Sequence, residues 1–360
     1  MSEAGIIDSG AIGIIDSVIE YVGPAKTSYD SLARVIDLQG QVITPGFIDL
    51  HSTLGANWDD IQQSYNAVAS RHVQFSESQV EDLLGAGIVA VALRPPEDSL
   101  FGGFSSLVEV LPDSFGGPVV LKDSLDYQIS LLSSDWEIPG PVKSEPYDDM
   151  ENLFRLREAL RQLDNPAYAG IDFTPLDANE TIVKAVQKGI PLYFLTDDKW
   201  HFHIVNELLS QHQIPYYFGE GRELIEYIQY LTSDRLKQLP GIIFGPSSYG
   251  YDEANLRYYS MPSELVEYGL DFTLASFAPI NRPRALITQT RQLLQYGVTG
   301  QKALSSITAT PARYVKMSTQ LGSLQKGAKA TFLVFTDNPM HMTSQLRMTY
   351  VKGLRVWQQK

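Results

Sequence analysis

The 360-residue chain contains no cysteine and has far fewer basic than acidic residues. The absence of cysteine excludes disulfides, thiolate metal sites and cysteine nucleophiles. The 28 Lys and Arg residues against 42 Asp and Glu give a formal net charge of -14. This charge argues against a nucleic-acid partner, because such partners are bound by clustered Lys and Arg.

Long hydrophobic runs are also absent. No segment approaches the roughly 18 consecutive apolar residues of a membrane-spanning helix. The N-terminal segment has neither the basic region nor the apolar run of a signal peptide. We therefore expect a soluble protein of the cytoplasm with no membrane partner, and a processed exported form remains an open alternative.

The middle of the chain, residues 46–314, alternates short apolar runs with helical patterns. Residues 76–86 predict a helix with Ser76 as its N-cap and Gly87 as its stop, and residues 88–93 are a continuous apolar strand. Repeated units of this kind predict an α/β fold with a buried parallel sheet. No G-x-G-x-x-G follows the first strand, so a (β/α)8 TIM barrel is favoured over an open doubly wound sheet.

Both ends of the chain are rich in strand patterns instead. The predicted strands are 12–22, 33–38 and 41–44 near the start, and 330–335 and 348–357 near the end. We expect residues 1–45 and 315–360 to form one small β-sandwich domain beside a barrel of residues 46–314. Residues 135–149 are predicted to be a long surface loop.

Five short motifs follow one another in a specific order. They are TPGFIDLH from Thr44, GIVAVALRPP from Gly87, LSSITATPA from Leu304, LGSLQKGAKATFLV from Leu321 and VKGLRV from Val351. This series resembles the amidohydrolase superfamily, in particular its imidazolonepropionase-like branch. The resemblance covers essentially the whole chain and implies a metal-dependent barrel with a β-sandwich built from both chain ends.

The resemblance also implies where the metal ligands of the family would lie, and here the sequence departs from the pattern. The positions of this vestigial site are His51, Thr53, Leu195, Asp197, Glu220 and Phe277. Thr53 replaces the second histidine of the first strand, and Phe277 replaces an aspartate that binds metal and acts as acid/base in the family. A phenyl ring offers neither donor electrons nor a proton to transfer.

The sequence therefore predicts a protein that has lost metal-dependent C–N hydrolysis, with no functional catalytic residue, metal or other cofactor. Such a chain could be a homo-oligomer, the non-catalytic subunit of an active paralogue, or a binder of a small ligand. The alternative is an active hydrolase of a cyclic amide or another non-peptide C–N bond. In that case His51, Asp197 and Glu220 would hold zinc or another divalent cation.

Candidates for a ligand pocket follow several of the predicted strands. They are His51, Gly102, Gly103, Asp197, Glu220 and Tyr249. The Gly102–Gly103 pair could hold a ligand through backbone N–H groups, and a plain turn is the competing interpretation. His201 and His203 imitate an H-x-H motif, but in a helix these two positions do not face each other, so a shared metal is not expected.

Overall fold

The structure is a computed structural model. It describes residues 6–26, 33–58, 64–95, 97, 100–131, 153–161, 176–196, 198–210, 212–220, 224–228, 231–236, 239, 241–245, 249–252 and 256–360. The predicted loop 135–149 lies outside these described residues.

Strands and helices alternate through the middle of the chain. The strands are β1 (Gly10–Ile15), β2 (Val18–Pro24), β3 (Val42–Pro45), β4 (Phe47–Ser52), β5 (Ile88–Leu93), β6 (Phe101–Phe104), β7 (Ser106–Glu109), β8 (Val119–Lys122), β9 (Tyr127–Ser130), β10 (Leu192–Thr196), β11 (Tyr216–Glu220), β12 (Gly241–Phe244), β13 (Tyr249–Asp252), β14 (Arg257–Ser260), β15 (Phe272–Leu274), β16 (Phe332–Phe335), β17 (Leu346–Val351) and β18 (Leu354–Gln358).

The helices are α1 (Glu77–Gly85), α2 (153–161), α3 (Leu176–Gln187), α4 (Lys199–Ser210), α5 (Leu224–Ile228), α6 (Ser233–Leu236), α7 (Met261–Glu267), α8 (Ala285–Gln292), α9 (Gly300–Ser305) and α10 (Ala309–Tyr314). Short 3-10 helices span Ser64–Asn66, Ala69–Arg71 and Leu293–Tyr296. The predicted start of α1 is confirmed, because the Ser76 hydroxyl accepts from Gln79 N and the Gln79 side chain accepts from Ser76 N. This reciprocal pair is a capping box.

Two sheets carry the α/β part of the fold. One has the order β15-β12-β11-β10-β9-β6, in which β9, β10, β11, β12 and β15 are parallel and β6 is antiparallel. The other has the order β4-β5-β7-β8, with β4 parallel to β5. Backbone hydrogen bonds join the two sheets on one side, from Thr53 N to Ala278 O (2.8 Å) and from Phe277 N to His51 O (3.1 Å). On the other side Leu125 N donates to Ser105 O (2.7 Å).

The buried apolar side chains of these sheets divide into two clusters. Along β10, Leu192 and Phe194 pack in the larger cluster, which also contains residues of the helices. Tyr193 and Leu195 pack in a second cluster together with Leu50, which we call the inner cluster. The alternation follows from the pleat, which turns successive side chains to opposite faces of a strand.

Strands from both ends of the chain meet in a third sheet, here called the closing sheet, of order β18-β17-β16-β3. Its β3 pairs with β16, so that Thr44 lies opposite Leu333. The β1–β2 hairpin is bonded to the same region, because Ile19 N donates to Ala328 O (2.9 Å).

Two expectations about the strands near the start of the chain are wrong. Residues 12–22 are not one strand, because Asp16 and Ser17 have φ of 48° and 69° and turn the chain into a hairpin; positive φ at both central residues is what a tight hairpin turn requires. Residues 33–38 form no strand.

Candidate functional site

His51 lies on β4 and is buried, with 1% of its surface exposed. Its Nε2 is 2.9 Å from Glu97 Oε1 and its Nδ1 is 2.9 Å from the Tyr193 hydroxyl. An ionised carboxylate can only accept, so Nε2 carries the proton and Nδ1 accepts from the Tyr193 O–H when the ring is neutral. Both nitrogens of the imidazole are therefore engaged by other side chains.

Phe277 covers one face of the same imidazole. The two ring centroids are 3.8 Å apart and the planes differ by 10°, which is a stacked arrangement. Hydrogen bonds of the neighbouring chain position the phenyl ring. Phe277 N donates to His51 O (3.1 Å), and Ser276 donates from its backbone N and its hydroxyl to the buried Asp49 carboxylate. Phe277 has a φ of 54°, a conformation that non-glycine residues seldom adopt.

Tyr193 links His51 to a buried ion pair. The Arg94 guanidinium carbon lies 3.8 Å from the centroid of the Tyr193 ring, and Arg94 bonds to Asp126 at 2.5 Å. Arg94 also donates to Leu50 O from Nε (3.0 Å) and Nη2 (2.8 Å). Arg94 and Asp126 are each 1% exposed, so the guanidinium's charge is balanced inside the protein and is not presented to solvent.

Two glycines leave space for the aromatic rings. A Cβ on Gly219 would lie 2.1 Å from the Tyr193 hydroxyl oxygen, and a Cβ on Gly245 would lie 3.1 Å from the Phe277 ring. Neither glycine has a positive φ, so their importance here is steric and not conformational. The positions of Tyr193 and Phe277 thus depend on the absence of a side chain on the neighbouring strands.

Burial is the largest single influence on the pKa of each ionisable group at His51, Asp49 and Glu97. It lowers the pKa of His51 against the opposing effect of Glu97, which favours the neutral imidazole. Burial also raises the pKa of Asp49, although hydrogen bonds from Ser276 and His51 oppose it. Burial would raise the pKa of Glu97 as well, but the hydrogen bond from His51 and the charges of His51 and Arg94 outweigh it and lower that pKa.

The other predicted site residues differ in how close they lie to His51 and its partners. Leu195 packs in the inner cluster with Phe277. Thr53 lies just past β4 and is bonded through its backbone to Ala278. Glu220 ends β11, and its charge adds to the rise in the pKa of Tyr193 that burial mainly causes. Asp197 lies outside the described residues.

The remaining pocket candidates are placed elsewhere along the strands. Gly102 and Gly103 lie in β6, where Gly103 pairs with Gln128, so the expectation of a turn is wrong. Tyr249 lies in β13, opposite Ser260 of β14. His201 opens α4 and bonds through Nδ1 to the Thr196 hydroxyl at 2.9 Å.

The described residues around His51 do not fit the metal that the sequence resemblance implies. A structural or catalytic zinc takes about four N, O or S ligands, at least three of them from the protein. His51 and Glu97 offer two such groups and are bonded to each other, and Phe277 offers none. Within the described residues, no group of three or more His, Asp and Glu side chains is placed to hold a metal ion.

Sequence reasoning missed Glu97, Tyr193 and Arg94. Tyr193 carries a weak signal, since it is a phenol within the otherwise apolar strand run LYFL. Arg94 and Glu97 follow β5 directly and are the charged residues of the segment RPPE. Charged residues placed directly after an apolar strand, such as Arg94 and Glu97, indicate that each has a polar partner elsewhere in the fold. The sequence does not indicate which residues those partners are.

Comparison with known proteins gives a consistent result. No family model matches the chain. The imidazolonepropionase of Solibacter usitatus is 23% identical over 93% of this chain and 86% of its own length. That of Sphingopyxis alaskensis is 30% identical, but the match covers only 30% of this chain and 29% of the relative.

A solved structure, an amidohydrolase from Thermotoga maritima, superposes with a TM-score of 0.79 at 19% identity, over 97% of this chain and 95% of the other. This likeness supports the α/β fold. Among the helices in the described ranges, none is long and apolar enough to cross a membrane. The comparisons thus agree in what the chain is similar to, which is imidazolonepropionases in sequence and an amidohydrolase in fold.

Proposed function

We propose that the chain retains the amidohydrolase scaffold but does not catalyse metal-dependent C–N hydrolysis. The observation that carries this proposal is the enclosure of His51, whose two nitrogens are bonded to Tyr193 and Glu97 and whose face is stacked on Phe277. Metal catalysis needs a cation that activates water by lowering its pKa to about 7. Neither a free imidazole lone pair nor a carboxylate at position 277 is present to hold that cation.

The same proposal includes the finer features of the fold. The two α/β sheets would form one (β/α)8 barrel, which the hydrogen bonds between Thr53 and Ala278 and between Leu125 and Ser105 support. Residues 1–45 and 315–360 would form the composite β domain, and residues 46–314 the barrel. Pairing of β3 with β16 supports this division.

A role without hydrolysis leaves binding as the function of the scaffold. The protein would then bind a small molecule, or form an oligomer with itself or with an active paralogue in a soluble compartment. Light scattering of the purified protein, alone and mixed with a candidate paralogue, tests the second role directly.

The second candidate is an active hydrolase of a cyclic amide or another non-peptide C–N bond. It is favoured by the relatives, which are named imidazolonepropionases, and by Glu220, which ends a strand near Tyr193. In this case His51, Asp197 and Glu220 would be the ligands of zinc or another divalent cation.

Metal analysis separates the two candidates. We expect protein purified without chelator to contain well below one equivalent of zinc, manganese or iron per chain. We also expect no hydrolysis of imidazolonepropionate, with or without added zinc. One equivalent of metal that is lost in His51→Ala, together with metal-dependent turnover that this variant abolishes, would contradict the proposal and establish the hydrolase.

A further inference from the structure

We propose that Lys122 is an acylation site, a nucleophilic amine that small acyl thioesters modify ahead of the ion-paired lysines of the chain. The side chain is half-buried, has no bonded carboxylate and lies beside a second lysine. It takes no part in the site around His51. The inference therefore stands whether or not the protein hydrolyses C–N bonds.

Lys122 ends β8 at the border of the inner cluster. Leu121 packs against that cluster, and Leu125 and Val315 belong to it. The Lys122 Nζ donates to Val315 O at 3.3 Å, which is long for a hydrogen bond and leads to an uncharged group. Among the described residues, no carboxylate is bonded to this amine.

Other partly buried lysines are placed differently. The Lys352 side chain is 37% exposed, and its Nζ lies 2.9 Å from Glu109 Oε1. The Lys302 side chain is 32% exposed and is bonded to Asp271. A bonded carboxylate favours the ammonium form of a lysine, and an ammonium has no lone pair with which to attack a carbonyl. Lys122 differs from both lysines because it lacks this anionic partner.

The second lysine is held next to Lys122 by the end of α10. Lys316 directly follows Val315, whose carbonyl Lys122 contacts. Its φ is 59°, a conformation that glycine usually adopts after a helix. The bonds from Lys316 N to Arg313 O (3.0 Å) and from Met317 N to Ala312 O (2.8 Å) fix this turn. The Lys316 side chain therefore starts from a fixed point beside the Lys122 amine.

This surrounding disfavours the charged form of Lys122. Burial lowers the pKa of Lys122 most, and the charge of Lys316 lowers it further. Asp126 acts in the opposite direction without outweighing them, and its carboxylate is bonded to Arg94. The neighbouring Asp123 accepts from two serine hydroxyls instead. A lysine that is desolvated or lies beside another cation is the type of amine that acts as a nucleophile in proteins.

Acylation fits this position because its product is uncharged. The Nζ lone pair attacks the thioester carbonyl carbon, an N–C bond forms and the C–S bond breaks. The thiolate leaves and takes the proton that the nitrogen loses, so the products are an amide and a thiol. The amide carries no charge to desolvate and does not repel Lys316. The two effects that lower the pKa of Lys122 therefore also favour the product.

Site-resolved acetylation of the wild-type protein tests the proposal without any substitution. The protein is incubated with a small acetyl thioester, and peptide mass spectrometry gives the rate at each lysine. Near neutral pH we expect Lys122 to react several-fold faster than Lys352. Its rate should level off below pH 10.5, the ordinary lysine pKa. A rate no higher than that of Lys352, or one that still rises through pH 10.5, would overturn the proposal.

Removal of the neighbouring charge tests the role of Lys316. Lys316→Met keeps an unbranched side chain but no ammonium, so the pKa of Lys122 should rise and its acetylation near neutral pH should slow several-fold. The matched control is Lys326→Met, because Lys326 is 74% exposed and its Nζ lies 3.2 Å from Glu20. The control should leave the Lys122 rate unchanged. An equal effect of the two variants would contradict the assigned role of Lys316.

Discussion

The inner cluster and the closing sheet are both buried, but they are built from different chemistry. Around the inner cluster, His51, Arg94 and Asp126 are almost completely buried and bonded to other groups. The core beside the closing sheet consists of apolar side chains such as Ile19 and Val334. Buried polar groups are costly unless each has a partner, whereas apolar contacts are exchangeable within limits of volume. Removal of a polar partner around His51 should therefore cost more stability than removal of a single contact beside the closing sheet.

This difference predicts that the largest loss of stability follows from breaking the buried ion pair. Asp126→Ala leaves the Arg94 guanidinium buried without its counter-charge, which typically costs about 3–5 kcal/mol. The matched surface variant is Asp271→Ala, whose partners Lys302 and Arg313 are partly exposed, and exposed pairs contribute about 1 kcal/mol or less. Urea unfolding gives both free energies. Similar costs for the two variants would mean that the inner ion pair is hydrated.

A smaller loss is expected when the space reserved for Tyr193 is filled. Gly219→Ala places a Cβ 2.1 Å from the Tyr193 hydroxyl oxygen, and overpacking of a buried site costs about 1–3 kcal/mol. Gly300→Ala is the control, since its Cβ would contact Met340 at an ordinary 3.4 Å in the first turn of α9. We expect thermal unfolding to show a clear decrease for Gly219→Ala and little change for Gly300→Ala. Equal effects would indicate that Tyr193 moves freely.

Removing one hydroxyl from each region sharpens the comparison further. Tyr193→Phe leaves the buried Nδ1 of His51 without its donor, and an unsatisfied buried acceptor costs about 1–3 kcal/mol. In the closing sheet, Tyr350→Phe removes only a contact of 3.7 Å with the Met348 sulfur and keeps the ring stacked on Phe332. We expect denaturant unfolding to show a cost for the first variant and almost none for the second. A cost for Tyr350→Phe as large as that of Tyr193→Phe would remove the distinction between the two regions.

The sequence predicted the elements that depend on local pattern. The apolar run of β5 was placed at Ile88–Leu93, as observed, and α1 begins after Ser76 as predicted. Strands β6 to β9 were missed, because each is only four residues long and too short to show a clear period. The hairpin at residues 16–17 was missed since Asp and Ser seldom occupy both positive-φ positions.

The site was predicted only in part, because its contacts are made by residues that are distant in the sequence. The family resemblance placed His51 and Phe277 in one site, and the structure stacks their rings. The convergence of His51 with Asp197 stays a prediction. The partners of the two His51 nitrogens are Glu97 and Tyr193, and neither follows from a motif, because each residue reaches His51 across the fold from another strand. Pattern reasoning could identify His51 and Phe277 as candidate positions, but not the side chains that contact the two nitrogens of His51.

The smallest expected effect is a difference in acid sensitivity between the surface and the inner cluster. Burial would raise the pKa of Asp271, but its bonds and charge interactions with Lys302 and Arg313 lower it below the ordinary 3.8. A carboxyl with a lowered folded-state pKa adds stability above its unfolded pKa and loses it as pH falls through the folded value. Asp49 has the opposite sign, because burial raises its pKa and protonation relieves the cost.

We therefore expect the stability advantage of the wild type over Asp271→Asn to be present at pH 5 and to shrink as pH falls below about 4. Because Asp271 is 48% exposed, the advantage should not exceed about 1 kcal/mol. Unfolding curves from pH 5 to pH 2.5 for the two proteins measure it. The control is Asp113→Asn, which changes an exposed turn carboxylate that accepts only from backbone N–H groups of Phe115 and Gly117. An advantage that grows as the solution is acidified would show that the Lys302 and Arg313 contacts do not hold Asp271 ionised in the folded protein.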